Sequence, residues 1–239
     1  MQKVIDFFKY CLGSLLDIIF PGPSSCTACG RLLKEYSGVL LCSSCLKELE
    51  GLQGYYVEAR QFFSEGKSDI CPEGGFDFIG APFRYEGAAR AMVKGLKYKG
   101  RISAAHSMAI FMSKELGKRN LIFDLIVPVP AHIEREKQRG YNQAELIARE
   151  VSRIIGVPMS KALIKTQNTP SQVTLDEGRR WSNIKDAFCL VEAVQGLRIL
   201  LIDDVATTGA TMFFSSCQLK KGGASHVVSL AFAVAMQGN

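Results

Sequence analysis

Residues 199–211 read Ile199-Leu-Leu-Ile-Asp-Asp-Val-Ala-Thr-Thr-Gly-Ala-Thr211, and they carry the strongest signal in the chain. Four aliphatic residues in a row are typical of a parallel strand that is covered on both faces. This strand delivers two carboxylates, Asp203 and Asp204, to its carboxyl end, where open α/β sheets bind their ligands. We therefore expect an α/β fold with a ligand site at the end of this strand.

The residues that follow the two acids predict an anion cradle at the start of a helix. They are Thr207, Thr208, Gly209, Ala210 and Thr211. Small side chains let backbone N–H groups close on a phosphate, and the helix dipole favours negative charge. A carboxylate pair beside such a cradle suits a sugar phosphate with vicinal hydroxyls, with Mg²⁺ shared between them. The alternative is an ordinary strand-to-helix turn with a capping Asp, which explains one acid and one threonine only.

The segments around this strand alternate between strand and helix patterns. Strands are predicted at 76–85, 123–129, 160–166, 199–202 and 225–235, and helices at 87–96, 101–118, 141–155 and 210–221. Residues 167–183 are polar and predict a mobile loop. Strands that alternate with helices imply a mostly parallel sheet, which we assign to a domain that spans residues 76–239.

Two further units precede this domain. Residues 1–23 place apolar side chains at helical spacing and end in Pro21-Gly22-Pro23, so they predict an amphipathic helix. Such a helix packs on the rest of the chain or, alternatively, lies on a membrane. Residues 24–75 contain a cysteine module and a glycine-rich linker.

The cysteine module predicts a metal site. Cys26, Cys29, Cys42 and Cys45 form a Cys-x2-Cys-x12-Cys-x2-Cys pattern. Two such pairs can complete a tetrahedral shell of four sulfurs, which suits a structural Zn²⁺ ion. Disulfides are the competing interpretation, but the chain shows no secretory context. So short a segment cannot bury a core of its own, and a metal ion would have to hold it together.

Composition and charge narrow the class of protein. The 239 residues are 47% hydrophobic and 22% charged, as in ordinary globular proteins. No apolar run is long enough for a membrane span, so we expect a cytoplasmic protein. Residues 1–80 carry 7 Lys/Arg against 10 Asp/Glu, and residues 81–239 carry 22 against 13. The second part therefore favours polyanionic partners, unless its cations merely solvate helices.

Several more segments form a recognisable set with residues 199–211 and the cysteine module. They are Leu96-Lys97-Tyr98-Lys99-Gly100, Val127-Pro-Val-Pro130, Arg139-Gly140-Tyr141-Asn142-Gln143-Ala144 and Gln172-Val-Thr-Leu175. Together these motifs resemble the ComF family, which includes the ComFC and GntX types. The resemblance covers nearly the whole chain. It implies a domain of the type I phosphoribosyltransferase kind with a small N-terminal zinc module.

The resemblance also implies roles for individual residues. Asp203 and Asp204 would contact the ribose hydroxyls of phosphoribosyl pyrophosphate, directly or through Mg²⁺, and residues 207–211 would bind its 5′-phosphate. The loop after Pro130 holds Arg135, Lys137 and Arg139, which suit a pyrophosphate group because arginine offers forked donors. A solvated loop is the alternative. Arg179 and Arg180 resemble the cations of a flexible lid that closes over the reacting centre.

The sequence is compatible with two functions. The first is an enzyme that transfers the phosphoribosyl group to an unidentified acceptor, in a competence, DNA-uptake or salvage context. The second is a non-catalytic module that assists imported single-stranded DNA during natural transformation, together with other competence proteins. Residues 94–101 are basic and include Tyr98, a pattern that fits single-strand binding and equally fits a helix end with solvated lysines.

Overall fold

A computed structural model describes residues 25–33, 38–58, 71, 74–166 and 187–235 of the chain. The helix predicted at 1–23 and the loop predicted at 167–183, with Arg179 and Arg180, lie outside these residues. In chain order the described elements are α1 (Ser43–Gly51), β1 (Gln53–Glu58), β2 (Phe78–Arg84), α2 (Gly87–Tyr98), α3 (Ala104–Gly117), β3 (Leu125–Pro128), α4 (Ile133–Arg139), α5 (Gln143–Ile155), β4 (Leu163–Lys165), β5 (Phe188–Leu190), β6 (Arg198–Ala206), α6 (Ala210–Lys221) and β7 (His226–Val234).

The central sheet has five strands in the order β1-β2-β7-β6-β3. β2, β7, β6 and β3 pair in parallel, and β1 joins the edge of β2 in antiparallel register. The register sets Leu201 of β6 opposite Ser229 of β7 and Val127 of β3. The predicted fold class, an α/β protein with a mostly parallel sheet, is therefore confirmed.

Both faces of the sheet are covered, and β6 contributes to the core on each side. Leu200 and Ile202 pack into a cluster with α2, α3, α5 and the cysteine module. Ile199 and Leu201 pack into a second cluster with α6, β4 and β5. Successive side chains of a strand point to opposite faces, which explains why the continuous aliphatic run is needed here.

Three local predictions are corrected by the structure. Residues 53–58, which the sequence assigns to a linker, form edge strand β1 of the main sheet. The strand predicted at 160–166 is shorter and pairs antiparallel with β5 in a separate two-stranded sheet. The third correction concerns the segment after Pro130.

The predicted pyrophosphate loop with Arg135, Lys137 and Arg139 is a short helix, α4. Both ends of this helix are capped. The His132 side chain accepts a hydrogen bond from the Glu134 N–H, and Gly140 takes a left-handed φ of 83° at the C-terminus. Acidic residues occupy the first turn and basic residues the last, as the helix dipole favours. The cations therefore project from a defined helix instead of a loop.

No helix among the residues that the structure describes is both long and apolar enough to cross a membrane.

Candidate functional site

The two aspartates at the end of β6 lie on opposite sides of the sheet. Asp204 follows Leu200 and Ile202 in the alternation and faces the α2 layer, where its side chain is almost completely buried. Asp203 is half-buried and follows Ile199 and Leu201 toward the α6 side. One Asp203 oxygen (Oδ1) accepts the backbone N–H of Asp204 at 2.8 Å. The carboxylates therefore flank the strand end, and each meets a different set of neighbours.

Lys97 of α2 holds one oxygen of Asp204. The distance from Lys97 Nζ to Asp204 Oδ1 is 2.8 Å. Burial alone would lower the pKa of Lys97, but the Asp204 carboxylate outweighs it and the net pKa is raised. The second oxygen, Asp204 Oδ2, is buried and has no hydrogen-bond partner among the described residues. An orphaned buried carboxylate oxygen fits a ligand cation or hydroxyl that completes its contacts.

Lys165 of β4 provides a positive charge that acts on Asp203, the other carboxylate of the pair. Burial, followed by the positive charge of Arg135, lowers the pKa of Lys165 to about 8, while Asp203 acts in the opposite direction. Burial and the charge of Asp204 raise the pKa of Asp203 to about 7, against the attraction of Lys97 and Lys165. An acid that binds a proton so readily is one that an added cation would stabilise in its ionised form.

The anion cradle predicted at the start of α6 has the expected backbone form. Gly209 sits before the first helical residue with a left-handed φ of 72°, which glycine adopts without strain. Thr208 is buried, and its hydroxyl accepts the N–H of Ala210 at 3.5 Å, whereas Thr207 is exposed. Thr211 lies in the first turn of the helix. Thr208 thus helps to fix the start of α6, and Thr207 and Thr211 flank it in the chain.

The three cations of α4 do not share one face. Arg135 and Arg139 are one helical turn apart and both half-buried, whereas Lys137 lies on the opposite side and is exposed. Arg139 donates to Gln143 Oε1 at 3.0 Å and lies 5.4 Å from the ring centre of Tyr98. Arg135 has the charge interaction with Lys165, and Arg139 lies on the same face of the helix.

The N-terminus of α5 joins the end of β3 to the end of α2. The Asn142 side chain caps α5 by accepting the Ala144 N–H at 3.0 Å, and it donates to the Val129 carbonyl at 3.1 Å. The adjacent Tyr141 hydroxyl donates to the Leu96 carbonyl, one residue before Lys97. These bonds hold the segments around the acid pair in fixed positions.

The four cysteines of the module converge as their spacing predicts. The sulfur atoms of Cys26, Cys29, Cys42 and Cys45 all lie within 4.8 Å of one another. Cys29 and Cys42 have their sulfurs 3.8 Å apart, far beyond a disulfide bond. A tetrahedron with metal–sulfur bonds of about 2.3 Å has edges of roughly 3.8 Å. The geometry therefore fits a metal ion with four thiolate ligands.

The electrostatics of the cluster also call for a cation. A hydrogen bond from Ser44, followed by the backbone N–H of Cys45, lowers the pKa of Cys42 to about 6. Burial and then the neighbouring thiols raise the pKa of Cys45. Four adjacent sulfurs can all ionise only when a positive charge lies between them. The donor set suits a closed, structural Zn²⁺ site without an open coordination position.

Lys97 and Lys165 are the two site residues that were not assigned to the site from the sequence. Lys97 lies one turn after Val93 on the buried face of α2, and a lysine on an apolar stripe indicates a buried acidic partner. Lys165 shares a face of β4 with the buried Leu163. Helical and strand periodicity could therefore have marked both residues as inward-facing cations.

Together, the fold and the site define a class of protein: an α/β domain with an acid pair at the end of a central parallel strand, joined to a four-cysteine module. No family model matches the chain. Competence protein F of Haemophilus influenzae is 27% identical over 199 residues, covering 78% of this chain and 87% of that protein.

Two further relatives match over shorter stretches. DNA utilization protein YhgH of Escherichia coli K12 is 37% identical over 105 residues, covering 44% of this chain and 46% of that protein. Competence protein ComFC of Bacillus subtilis is 36% identical over 110 residues, covering 44% of this chain and 42% of that protein. In these two comparisons the match spans less than half of the relative's own length. The chain is a relative of competence proteins F and ComFC, which confirms the resemblance seen in its motifs.

The comparison with solved structures gives matches of low similarity. A purine phosphoribosyltransferase from Pyrococcus horikoshii is 18% identical with a TM-score of 0.34, covering 52% of this chain and 68% of that one. The allosteric regulatory enzyme of purine biosynthesis is 22% identical with a TM-score of 0.35, covering 52% and 25%. Similarities this low say nothing about activity or substrate.

Proposed function

We propose that the chain binds Mg²⁺-phosphoribosyl pyrophosphate at the carboxyl end of β6 and transfers its phosphoribosyl group to an acceptor, as a cytoplasmic protein of DNA uptake. One observation carries the proposal: the adjacent acids Asp203 and Asp204 lead directly into the glycine-capped start of α6. The acids suit a vicinal diol or its bound Mg²⁺, and the helix start suits a phosphate.

Each group of the chain has a defined task in this proposal. Asp203 and Asp204 hold the ribose hydroxyls or the ion, and residues 207–211 hold the 5′-phosphate. Mg²⁺, when bound, screens the negative charge of the pyrophosphate. Arg135, whose charge acts on Lys165, and Arg139, on the same face of α4, add forked donors for the same group.

The reaction would be a substitution at the anomeric carbon of the ribose. The bond from that carbon to the pyrophosphate oxygen breaks, and its electron pair leaves with pyrophosphate. A nucleophile on the acceptor forms the new bond and gives its proton to solvent or to the departing pyrophosphate. The chain would contribute orientation and electrostatic stabilisation, with no covalent bond to the protein.

The biological context of the proposal rests on the relatives. Their names, "competence protein F" and "DNA utilization protein", associate them with the use of external DNA. Imported DNA is a source of bases, nucleosides and oligonucleotides. We therefore choose the acceptor panel from these compounds.

Calorimetry tests the binding step. Wild type should bind phosphoribosyl pyrophosphate only with Mg²⁺, and the double variant Asp203→Asn/Asp204→Asn should bind it roughly tenfold to a hundredfold more weakly. Glu150→Gln is the control, since this carboxylate of α5 pairs with His106 of α3 and with Arg153 of its own helix. Equal affinity in wild type and the double variant would refute the proposal. Pyrophosphate release across the acceptor panel then tests the transfer step.

A second candidate, a non-catalytic module for single-stranded DNA, is favoured by one observation. Tyr98 is 70% exposed at the end of α2, beside the guanidinium of Arg139. An exposed ring with a neighbouring cation can stack a base and contact the backbone. Lys97, which the sequence also offers for this role, is bound to Asp204, so Tyr98 and Lys99 are the proper probes.

The DNA candidate predicts salt-sensitive binding that Tyr98→Ala and Lys99→Ala weaken, with no acceptor giving pyrophosphate release. Catalysis predicts release with at least one acceptor, whatever the DNA affinity. Release no faster than in a control without protein, together with tight and salt-sensitive DNA binding, would favour the second candidate.

A further inference from the structure

The guanidinium of Arg101 contacts the backbone between Cys26 and Cys29. Its Nη1 atom donates to the Ala28 carbonyl at 3.0 Å and to the Thr27 carbonyl at 3.3 Å, and both carbonyls lie between Cys26 and Cys29. A Cβ on Gly30, whose φ is 82°, would stand 2.8 Å from Arg101 Nη2. Gly30, directly after Cys29, thus leaves space for this guanidinium.

The same arginine is fixed to the last turn of α2. The Arg101 backbone N–H donates to the Gly95 carbonyl at 3.2 Å. A Cβ on Gly95 would lie 3.1 Å from Arg101 Cδ and 3.3 Å from the Thr27 carbonyl oxygen. The cysteine turn, Arg101 and the end of α2 are therefore in direct contact, with little space between them.

This last turn of α2 carries Lys97 to the acid pair. Leu96 is completely buried, and its carbonyl accepts a hydrogen bond from the Tyr141 hydroxyl. Lys97 comes next and binds Asp204. A lysine side chain is long and flexible, so the position of its ammonium group depends on how firmly its backbone is held.

We propose that Arg101 is a positioning residue that couples the four-cysteine module to Lys97 and, through it, to Asp204. The coupling deepens the function proposed above and rests on it for the identity of the ligand. Arg101 itself contacts the cysteine turn and is not among the residues that the proposed function assigns to the ligand. Without its two hydrogen bonds to the cysteine turn, the end of α2 loosens and Lys97 spends less time at Asp204.

The first experiment compares Arg101→Ala with wild type and with the control Arg153→Ala, which removes an exposed arginine that pairs with Glu150. Metal content and far-UV circular dichroism should be unchanged in both variants. In Arg101→Ala, amide hydrogen exchange at residues 95–99 should be faster, and the affinity for Mg²⁺-phosphoribosyl pyrophosphate about threefold to tenfold lower. Arg101→Lys, which keeps one donor group, should recover part of the affinity.

The second experiment asks whether Arg101 acts through Lys97. In a Lys97→Met background, Arg101→Ala should cause no further loss of affinity, because the group that it positions is gone. Losses that simply add would overturn the proposal, and so would unchanged exchange at residues 95–99 in Arg101→Ala. If wild type does not bind the ligand, the proposed function fails, and the exchange measurement still decides whether the coupling exists.

Discussion

At the scale of residues, the acid pair depends on charges from distant segments. Asp203 and Asp204 are neighbours in the chain, but the alternation of the strand sends them to opposite faces. Lys97 binds Asp204 from the α2 side, and Lys165 interacts with Asp203 from the β4 side. The two carboxylates therefore have different lysine partners, although Asp204 and Lys97 also act on the pKa of Asp203.

The buried pair of Lys97 and Asp204 should show strong energetic coupling. Lys97→Met should lower the free energy of unfolding by about 3 kcal/mol, because it leaves Asp204 as an uncompensated buried charge. The double variant Lys97→Met/Asp204→Asn should cost less than the two single variants together. The measurement is urea denaturation at pH 7.

The raised pKa of Lys97 gives this coupling a defined pH window. A raised lysine pKa stabilises the fold below the ordinary value of about 10.4 and loses that effect as pH rises through the folded-state value. The coupling should thus stay constant between about pH 9 and 10, above the pKa of about 7 of Asp203 and of about 8 of Lys165. Additive single and double variants within that range would contradict the interpretation of the pair.

The pKa of Lys165 should change when a single residue of α4 is replaced. Because the charge of Arg135 helps burial to lower the pKa of Lys165 to about 8, Arg135→Ala should raise it. An NMR titration of the Lys165 side chain gives the value, and Lys137→Ala, on the opposite face of α4, should leave it unchanged. A depressed lysine pKa stabilises the fold above about 10.4, and this effect is lost as pH falls through about 8.

At the scale of elements, α4 shows how a short helix can present cations in a defined direction. With one side-chain cap and a glycine at its C-terminus, its seven residues hold Arg135 and Arg139 on one face. The position of these guanidinium groups therefore depends on the ends of the helix as much as on the residues themselves.

Replacing the C-terminal glycine should weaken α4. Gly140→Ala forces an alanine into a left-handed conformation and should cost roughly 1–2 kcal/mol of unfolding free energy, although there is open space around the site. The matched control is Gly117→Ala at the end of α3, which also has open space but no positive φ, and should be neutral or stabilising. Thermal unfolding of the two variants side by side measures the difference.

Local patterns predict some parts of this protein and leave others hidden. The aliphatic run of β6 and the acids behind it are visible because strand, turn and helix start lie within a few residues. The short β1 contains Gly54 and two tyrosines, too weak a pattern to distinguish it from a linker. Lys97 and Lys165 reach the site only through tertiary packing, which a linear pattern does not show.

At the scale of the whole molecule, the cysteine module is part of one hydrophobic core. Cys26, Ala28, Leu41 and Leu49 pack in the same cluster as α2 and α3. The Ser107 hydroxyl of α3 also accepts the N–H of Leu40 at 3.1 Å. Loss of the module would therefore uncover one side of the sheet as well as remove a metal site.

Metal content is the direct test of the module. Purified protein should contain about one zinc ion per chain, and Cys29→Ser should lose the ion and some stability, because three thiolates leave the shell incomplete. Cys189→Ser is the matched control, since this exposed cysteine of β5 is not among the four that converge. Elemental analysis of freshly purified protein is the measurement, and wild type without zinc would disprove the predicted zinc site.

The position of β7 in the central sheet has a consequence for biosynthesis. β7 lies between β2 and β6, although it is made after both of them. During translation, β2 must wait for a partner that is about 150 residues further along, so the two halves of the sheet stay apart until β7 leaves the ribosome. A nascent chain that ends before His226 exposes apolar strand edges, and it is then a substrate for chaperones or proteases.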